Sequence, residues 1–114
     1  MLDPTSGTLE HYLTLVSERQ RLVTSNIANA DTPGFKTKDI DFEAELQNAL
    51  KGMPSMPPRE VSGLITKNDG NNVDLDREAR LLSENALRFT VASNLLHSRL
   101  KLLRTAIQGG TGGA

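Results

Sequence analysis

The chain has 114 residues, a formal net charge of −1 and no cysteine, which limits it to one small domain and excludes disulfides, thiol chemistry and cysteine-based metal sites. The near-neutral charge gives no electrostatic footprint for nucleic acid or for an anionic membrane surface. No apolar run reaches the roughly 18 residues that a membrane-spanning helix needs. The first residues also lack the basic and apolar regions of a Sec signal peptide, so we expect any export to use another route, without cleavage.

The first predicted element is an N-terminal helix over residues 8–30, after a lead of residues 1–7 that we expect to be flexible because it is rich in helix-breaking and capping residues. Apolar residues recur along this helix with heptad spacing, in two series that lie four residues apart and form one stripe. The stripe consists of Leu9, Val16, Val23 and Ala30 in the first series and of Leu13, Gln20 and Ile27 in the second.

A tight corner is predicted where this helix ends. The residue before Pro33 is biased away from the helical region, and Pro33 followed by Gly34 is typical of a type II turn in which the glycine has a positive φ. Asn26 and Asn29 lie in the last turn of the helix, where asparagine can bond to the turn or to terminal carbonyl groups. Phe35 leaves the turn toward the helix end. As a bare pattern, this corner indicates a fold element rather than a recognition site.

The middle of the chain carries weaker signals. Residues 31–50 are predicted to comprise the turn, an extended arm and a short helix that begins at Phe42 after a capping Asp39 or Asp41. The variable loop region of residues 51–73 contains a proline-rich stretch, one short strand at best, and a turn.

A long C-terminal helix is predicted over residues 74–108, followed by a glycine-rich tail of residues 109–114 that we expect to be flexible. This helix would be about 50 Å long, longer than the N-terminal helix, so a hairpin of the two leaves part of its apolar stripe for assembly. The stripe is the more regular of the two. It consists of Leu75, Leu82, Phe89, Leu96 and Leu103, with Ala79, Ala86, Ser93, Leu100 and Ile107 four residues after each.

Few side chains are arranged for chemistry. His11 and His97 have no histidine or carboxylate three or four residues away, so we interpret them as solvated or interface residues. Residues 69–76 look like a calcium loop, but the acidic positions that an EF-hand needs ahead of them are not acidic, which favours a turn and helix cap. The basic residues after Glu84 are scattered, unlike the dense basic block of a bZIP protein. The sequence therefore predicts no enzyme active site, no cofactor and no metal site.

One segment resembles a known signature. Residues 25–36 read Ser-Asn-Ile-Ala-Asn-Ala-Asp-Thr-Pro-Gly-Phe-Lys and are similar to the N-terminal signature of the bacterial flagellar axial proteins, which build the rod, the hook and the hook-filament junction. Residues 37–46, and residues 70–78 leading into the long helix, resemble the proximal-rod members of that family in particular. The similarity covers both terminal thirds of the chain, whereas residues 47–69 match nothing specific and are short for the family.

The resemblance implies a mainly α fold in which paired N- and C-terminal coiled-coil-type helices, joined by a short irregular and extended middle segment, assemble into a helical tube. It implies a structural subunit of the proximal rod, the torque-transmitting shaft in the periplasmic space, exported by the flagellar type III apparatus without a cleaved signal peptide. The implied partners are the chain itself, other rod proteins, FliE and the MS ring, with no nucleic acid and no membrane insertion.

A soluble coiled-coil adaptor or secretion chaperone is the alternative, because such a protein would use the same stripes to bind partner helices. The two differ in the isolated state. A rod subunit is expected to be only partly folded alone, since long helices owe most of their stability to packing, whereas a chaperone is expected to form a stable helical dimer.

We expect the assembly interface to lie on the two stripes and the corner. Leu9, Val16, Val23 and Ile27 are predicted to pair with the C-terminal stripe within or between subunits, and the arm that follows the turn is expected to contact a neighbour. The full predicted set is Leu9, Leu13, Val16, Val23, Ile27, Asn26, Asn29, Pro33, Gly34, Phe35, Phe42, Leu82, Phe89, Leu96, Leu100, Leu103 and Ile107.

Overall fold

The structure of the chain is a computed structural model that describes residues 3–112. Helix α1 spans Pro4–Ala28, helix α2 spans Phe42–Leu50, and helix α3 spans Leu75–Gly112. The fold is mainly α, with long terminal helices that pack on each other and a short irregular middle, as predicted. Within the described range, none of the helices is both long enough and apolar enough to cross a membrane.

The terminal helices form an antiparallel hairpin. Near the end of α1, Asn26 bonds to Glu78 in the first turns of α3, and at the other end Asp3 bonds to Arg99. The hairpin gives the molecule an elongated shape of 72 × 27 × 17 Å. Helix α3 continues roughly 20 Å beyond the Asp3–Arg99 pair, so the C-terminal part of its surface extends past the start of α1.

Helix α1 begins earlier than predicted. The side chain of Asp3 accepts a hydrogen bond from the backbone nitrogen of Ser6 and caps the helix, and Pro4 occupies the first helical turn. Proline suits that position, because its fixed φ is helical and the backbone donor that it lacks would have no partner there. Ser6 is fully buried, so the expectation of a flexible lead is wrong for residues 3–7. Residues 1–2 lie outside the described range.

Most of the predicted stripe of α1 is buried or half-buried. Val16, Val23 and Ala30 are buried, while Leu9, Leu13 and Gln20 are half-buried. Ile27 departs from the prediction, because it is exposed and its neighbour Asn26 is buried in its place. The reason is the hydrogen bonds of Asn26, which turn that side of the helix toward the rest of the corner.

The face of α3 that packs on α1 lies one residue position before the predicted stripe, a rotation of about 100° around the helix. Leu82 and Phe89 are therefore 37% and 45% exposed, and that they pair with the stripe of α1, within or between subunits, stays a prediction. The apolar pattern did not indicate this face, because two of its buried residues are polar and bond to side chains of α1. The buried residues are Glu78, Leu81, Asn85 and Ala92.

The C-terminal part of α3 is more open. Leu96, Leu100 and Leu103 are half-buried and Ile107 is exposed. The helix runs through Gly109 to Gly112, past the predicted end, since glycine weakens a helix without breaking its hydrogen-bond ladder as proline does. The remaining residues of the predicted tail, 113–114, lie outside the described range.

Helix α2 packs on α1, and its first side chain also reaches α3. It begins at Phe42 as predicted, and of the two candidate caps it is Asp41 that accepts a hydrogen bond from the nitrogen of Ala44. The Phe42 ring contacts Tyr12 of α1 edge to face, with the ring centroids 5.4 Å apart, and the guanidinium of Arg88 lies 5.5 Å from the centroid of Phe42. Phe42 therefore joins three helices within the subunit.

Two short strands complete the described fold. Strand β1 (Lys38–Asp39) pairs antiparallel with strand β2 (Arg59–Glu60), with Lys38 opposite Glu60. Strand β2 is very short and lies within residues 51–73, where the sequence predicts one short strand at best. The sheet fastens the proline-rich loop to the arm that follows the corner.

Candidate assembly surface and the corner that orients it

The corner after α1 has the predicted geometry. The nitrogen of Phe35 donates to the carbonyl oxygen of Thr32 over 3.2 Å, and Gly34 has a φ of +76°. A hydrogen bond between the first and fourth residues, with proline second and a positive φ at the third, defines a type II turn. The turn reverses the chain so that the arm runs back along α1.

A second loop, residues 67–74, holds this turn. The amide nitrogen of Asn71 donates to the carbonyl oxygens of Asn29 at 2.8 Å and Thr32 at 2.9 Å, and its amide oxygen accepts from the nitrogen of Val73 at 2.9 Å. Asn71 is fully buried. Its side chain thus adds a second hydrogen bond to the carbonyl of Asn29, the cap residue of α1, and to the carbonyl of Thr32, the first residue of the turn.

Two glycines allow the turn and the loop to touch. The nitrogen of Gly34 donates to the carbonyl oxygen of Asp69 over 2.9 Å. A β-carbon added to Gly70, which has a φ of +87°, would lie 3.3 Å from the α-carbon of Gly34, whereas one added to Gly34 would meet nothing within 4 Å. Glycine is therefore favoured at position 70 both by its positive φ and by the lack of space for a β-carbon, and at position 34 by its positive φ alone.

The arm after the corner is fixed within the subunit. The nitrogen of Thr37 donates to the amide oxygen of Asn72 over 2.7 Å, and the nitrogen of Asn72 donates to the carbonyl oxygen of Phe35 over 3.2 Å. Thr37 and Ile40 are buried. Asn72 thus holds the start of the arm against the second loop, and the side chains of Thr37 and Ile40 face the interior of the subunit. That the arm contacts a neighbouring subunit stays a prediction.

Asn26 connects the end of α1 to the start of α3. Its amide nitrogen donates to the carbonyl oxygen of Lys38 at 2.9 Å and to the carboxylate of Glu78 at 2.7 Å, while its amide oxygen accepts from the nitrogen of Lys38 at 3.2 Å. Asn26 and Glu78 are both buried. One asparagine side chain thus holds together two helices and strand β1.

Glu78 also belongs to a chain of ion pairs. Arg77 donates to Glu78 over 2.5 Å and to Asp39 over 2.6 Å, and Asp39 accepts a two-pronged pair from Arg19 of α1 at 2.9 and 3.1 Å. Burial would lower the pKa of Arg77, but the hydrogen bonds to Glu78 and Asp39 raise it above its ordinary value. Arg19, Asn26, Asp39, Arg77 and Glu78 form what we call the polar cluster.

The polar cluster holds α1, β1 and α3 together. Its two carboxylates and two guanidinium groups balance in charge, and each bonds to another member, so the cost of removing them from water is offset. Sequence reasoning singled out Asn26 but missed its partners. Those partners lie 12 to 52 residues away in the chain. The sequence feature that could have indicated them is the position of an asparagine, a poor helix former, inside a predicted helix.

The predicted stripe of α3 lies beside the hairpin contact, on the surface. Phe89 separates two grooves between α1 and α3, with volumes of about 420 Å³ and 440 Å³. Both grooves are lined by Ser17 of α1, and they are open to side chains from outside. The structure thus gathers Asn26, Asn29, Pro33, Gly34 and Phe35 at the corner and leaves Leu82 and Phe89 exposed. That these residues bind other subunits stays a prediction.

The chain is similar to flagellar proteins over nearly its full length. The family described as flagella basal body rod protein matches residues 13–36. The chain is 32% identical to flagellar basal body rod protein FlgB of Salmonella typhimurium over 137 aligned positions, which cover 96% of the chain and 99% of that protein. It is 30% identical to FlgB of Escherichia coli over 96% of the chain and 99% of that protein. FlgB of Borrelia hermsii is 34% identical over 85% of the chain and 90% of that protein. The 137-position alignments exceed the 114 residues of the chain, so these relatives carry internal residues that it lacks.

Proposed function

The chain belongs to the FlgB family of flagellar basal body rod proteins, and from this premise we propose that it is a structural subunit of the proximal rod whose terminal helices pack into the torque-transmitting drive shaft. It is a component of the flagellar basal body rod. We propose that it lies at the membrane-proximal end of the rod and that it transmits torque through contacts between subunits.

The observation that carries the proposal is the exposed apolar stripe on an elongated hairpin. Leu75, Leu82 and Phe89 lie along one side of α3 and are exposed. The molecule is 72 Å long and 17 Å across its thinnest dimension. Apolar side chains in such a row are typical of a surface that binds another protein. A subunit that packs side by side with others would bury them.

The polar cluster supports a structural role. Within the described residues, its charged groups are already paired with each other and join three segments, although Asp39 and Arg77 also line an open groove of about 420 Å³. A shaft that transmits torque needs subunits whose helices keep a fixed relative orientation. The cluster provides this at the corner, because bonded buried charges permit few alternative arrangements.

The proposed partners are other copies of the chain, other rod proteins, and FliE with the MS ring at the membrane-proximal side. We also propose export by the flagellar type III apparatus without a cleaved signal peptide and a final position in the periplasmic space. The membership of the chain in a family of flagellar basal body rod proteins supports these statements.

The experiment is to delete the gene in its own bacterium, restore it on a plasmid with an epitope tag in the proline-rich loop, and purify basal bodies. We expect the deletion to abolish motility and the restored protein to occur in purified basal bodies, with the tag detected beside the MS ring. A motile deletion strain, or a protein that stays in the cytoplasm and is absent from basal bodies, would contradict the proposal. The second result would fit a secretion chaperone.

A further inference from the structure

The proline-rich loop after α2 carries a repeat that the proposed rod contacts do not use. Residues 53–59 read Met-Pro-Ser-Met-Pro-Pro-Arg, so a Met-Pro pair occurs twice, three residues apart, and an arginine follows. We call residues 53–59 the Met-Pro segment. The whole segment is exposed, and the side chains of Met53 and Met56 are each 54% exposed. This apolar surface is therefore open to another protein.

The Met-Pro segment is restricted to an extended conformation. Each proline fixes its own φ at about −65°, and the residue before a proline is biased toward the extended region. These two rules apply to residues 53–54 and 56–58, and residues 53–58 form neither helix nor strand. Such restrictions favour the polyproline II helix, which has three residues per turn. In that helix, Met53 and Met56 lie in one row, and Pro54 and Pro57 lie in a second row.

Two hydrogen bonds agree with this period and hold the segment on α2. The nitrogen of Met53 donates to the carbonyl oxygen of Asn48 at 2.8 Å, and the nitrogen of Met56 donates to the buried carboxylate of Glu45 at 3.0 Å. The two donors are three residues apart, and so are the two acceptors. Pairing of β2 with β1 fixes the other end of the segment. A segment that is held in this way loses little conformational freedom when a partner binds it.

Arg59 adds a positive charge at the end of the segment. Its side chain is 66% exposed, and its nitrogen lies 3.9 Å from the carboxylate of Asp41, which is also exposed. An exposed ion pair of this kind contributes little to stability, so Arg59 can exchange Asp41 for a carboxylate of a partner. The apolar rows fit a groove lined by aromatic rings, on which proline and methionine side chains pack.

A second copy of the chain is a poor source of such a groove. The chain has no tryptophan, one tyrosine and three phenylalanines. Tyr12 and Phe42 pack on each other within the subunit. The other two aromatic residues lie in separate parts of the fold, since Phe35 belongs to the corner and Phe89 to the middle of α3. The partner that fits the segment is therefore a different protein.

We propose that the Met-Pro segment is a docking site for a protein domain with an aromatic-lined groove and an acidic residue at one end of it, as in domains that bind polyproline II segments. The pairs at 53–54 and 56–57 fill two successive pockets of the groove, and Arg59 pairs with the acidic residue. The proposed rod contacts use α1 and α3, whereas this segment lies on α2 and β2. The docking site thus goes beyond the proposed function and does not depend on it.

The absence of tryptophan from the chain makes a binding test direct. The probe is a purified SH3 domain selected for binding proline-x-x-proline-x-arginine peptides, because tryptophan fluorescence from its groove reports binding. We expect the full-length chain to change this fluorescence in a saturable manner and a free peptide of residues 51–61 to compete with it. A peptide that binds while the full-length chain does not would overturn the proposal, and so would the absence of binding by both.

Substitutions in different rows test how the segment is bound. Pro54→Ala and Pro57→Ala should each weaken binding about tenfold, because each empties a pocket of the groove. Ser55→Ala and Pro58→Ala, in the third row, are the matched controls and should change the affinity by less than about twofold. All four residues are exposed, so circular dichroism of the variants should match that of the unchanged chain. Equal losses in both rows would contradict the proposal.

A charge reversal tests the role of Arg59. Arg59→Glu should weaken binding about tenfold and make the remaining binding less sensitive to salt. Lys101→Glu makes the same change in net charge at an exposed position of α3 and should leave the affinity unchanged. Equal effects of the two variants would show non-specific attraction between charges and would overturn the proposal.

Cross-linking in the native bacterium identifies the occupant. With a photoreactive amino acid in place of Ser55, we expect a cross-link to a protein outside the rod that is lost with Pro57→Ala and kept with Pro58→Ala. A cross-link to a rod protein or to a second copy would overturn the proposal.

Purified basal bodies separate the docking site from the rod assignment. We expect the chain that carries both Pro54→Ala and Pro57→Ala to be present in them. If this variant folds but is missing there while the unchanged chain is present, the segment is an assembly contact, and the docking proposal is wrong. If the unchanged chain is missing from basal bodies but binds the SH3 probe as expected, the rod assignment fails and the docking site stands.

Discussion

The two ends of the hairpin are built in different ways. At the corner end, α1, β1 and α3 are joined by buried and half-buried side chains whose polar groups bond to one another, as in the buried pair of Asn26 with Glu78 and the half-buried pair of Arg77 with Asp39. At the far end, α3 extends beyond α1 and carries exposed leucines and basic residues. The bond from Arg99 to Asp3, the residue that caps α1, joins the two helices there.

The difference indicates a division of labour within one small chain. Hydrogen bonds and ion pairs have strict geometry, so the corner end fixes the angle at which the two helices meet. Apolar contacts have no strict geometry. The exposed apolar surface lies at the far end and along Leu75, Leu82 and Phe89 of α3, which we call the outer stripe, and is available to partners. The buried apolar set is short, which means that the polar cluster contributes much of what defines the folded subunit.

The largest effect is expected from Glu78→Ala. This change leaves Arg77 and Asn26 buried without a shared partner, and breaking a buried ion pair in this way costs about 3–5 kcal/mol. Urea denaturation followed by circular dichroism should show a loss of that size or an unfolded chain. Glu84→Ala, at an exposed position of the same helix, should change the free energy of unfolding by less than about 0.5 kcal/mol.

A second variant separates charge from hydrogen bonding at the same position. Glu78→Gln keeps an oxygen for Asn26 but removes the negative charge beside Arg77, so its destabilisation should fall between those of the two alanine variants. If Glu78→Ala and Glu84→Ala are equally stable, the corner end is not held by the polar cluster.

Hydrogen exchange should distinguish the two ends in the isolated subunit. Backbone amides of α3 next to the polar cluster, around Leu81 and Asn85, should exchange about a hundredfold more slowly than those after Arg104, because unpacked helix ends open locally at little cost. This refines the expectation of a partly folded monomer, by assigning the folded part to the corner end. Uniform protection along the whole of α3 would show that the far end needs no partner.

The two glycines of the corner should differ in their tolerance of a side chain. Gly34→Ala places a β-carbon at a positive φ in open space and should cost about 1–2 kcal/mol. Gly70→Ala adds crowding against the backbone of Gly34 and should cost more than Gly34→Ala in the same thermal unfolding experiment. Gly52→Ala has a similar φ and no close neighbour, so it is the control for strain alone and should match Gly34→Ala.

The smallest effect concerns Asp3 at the far end. Hydrogen bonds from Ser6 and Arg99 lower the pKa of Asp3 from 3.8 to about 2. A lowered pKa means that the ionised carboxylate contributes stability at pH values above about 3.8 and that this contribution is lost as the pH falls through about 2. Asp3→Asn can still cap α1 but loses the charge beside Arg99. Its melting temperature should lie slightly below that of the unchanged chain at pH 6 and equal it at pH 1.5, which is an approximate end point of that titration. A difference that does not depend on pH would exclude the charge as its cause.

The sequence predicted those features that depend on neighbouring residues. The turn at Pro33–Gly34 and the start of α2 at Phe42 follow from φ restrictions and capping side chains. Helix α1 began earlier than predicted for a reason that is equally local, since Asp3 and Pro4 are a cap and a first-turn proline rather than breakers. Both features can be recognised without knowledge of the fold.

The buried face of α3 could not be predicted in this way. Counting apolar residues favours Leu82 and Phe89, yet the helix turns Glu78 and Asn85 toward α1. A carboxylate becomes favourable in a buried position only through partners such as Asn26 and Arg77, and the fold brings the first of these close from a distant part of the chain. Polar burial depends on tertiary contacts, and the sequence pattern of a single helix does not contain them.

The most direct test changes the outer stripe without touching the corner end. In cells whose single copy carries Phe89→Asp, we expect the protein to be exported but absent from purified basal bodies, and the cells to be non-motile, because the carboxylate would be buried between subunits. The purified variant should unfold within about 0.5 kcal/mol of the unchanged chain, since the side chain is exposed in the subunit. Leu87→Asp, on the side of α3 away from both α1 and the stripe, should be incorporated normally. Normal incorporation and motility of Phe89→Asp would contradict the account.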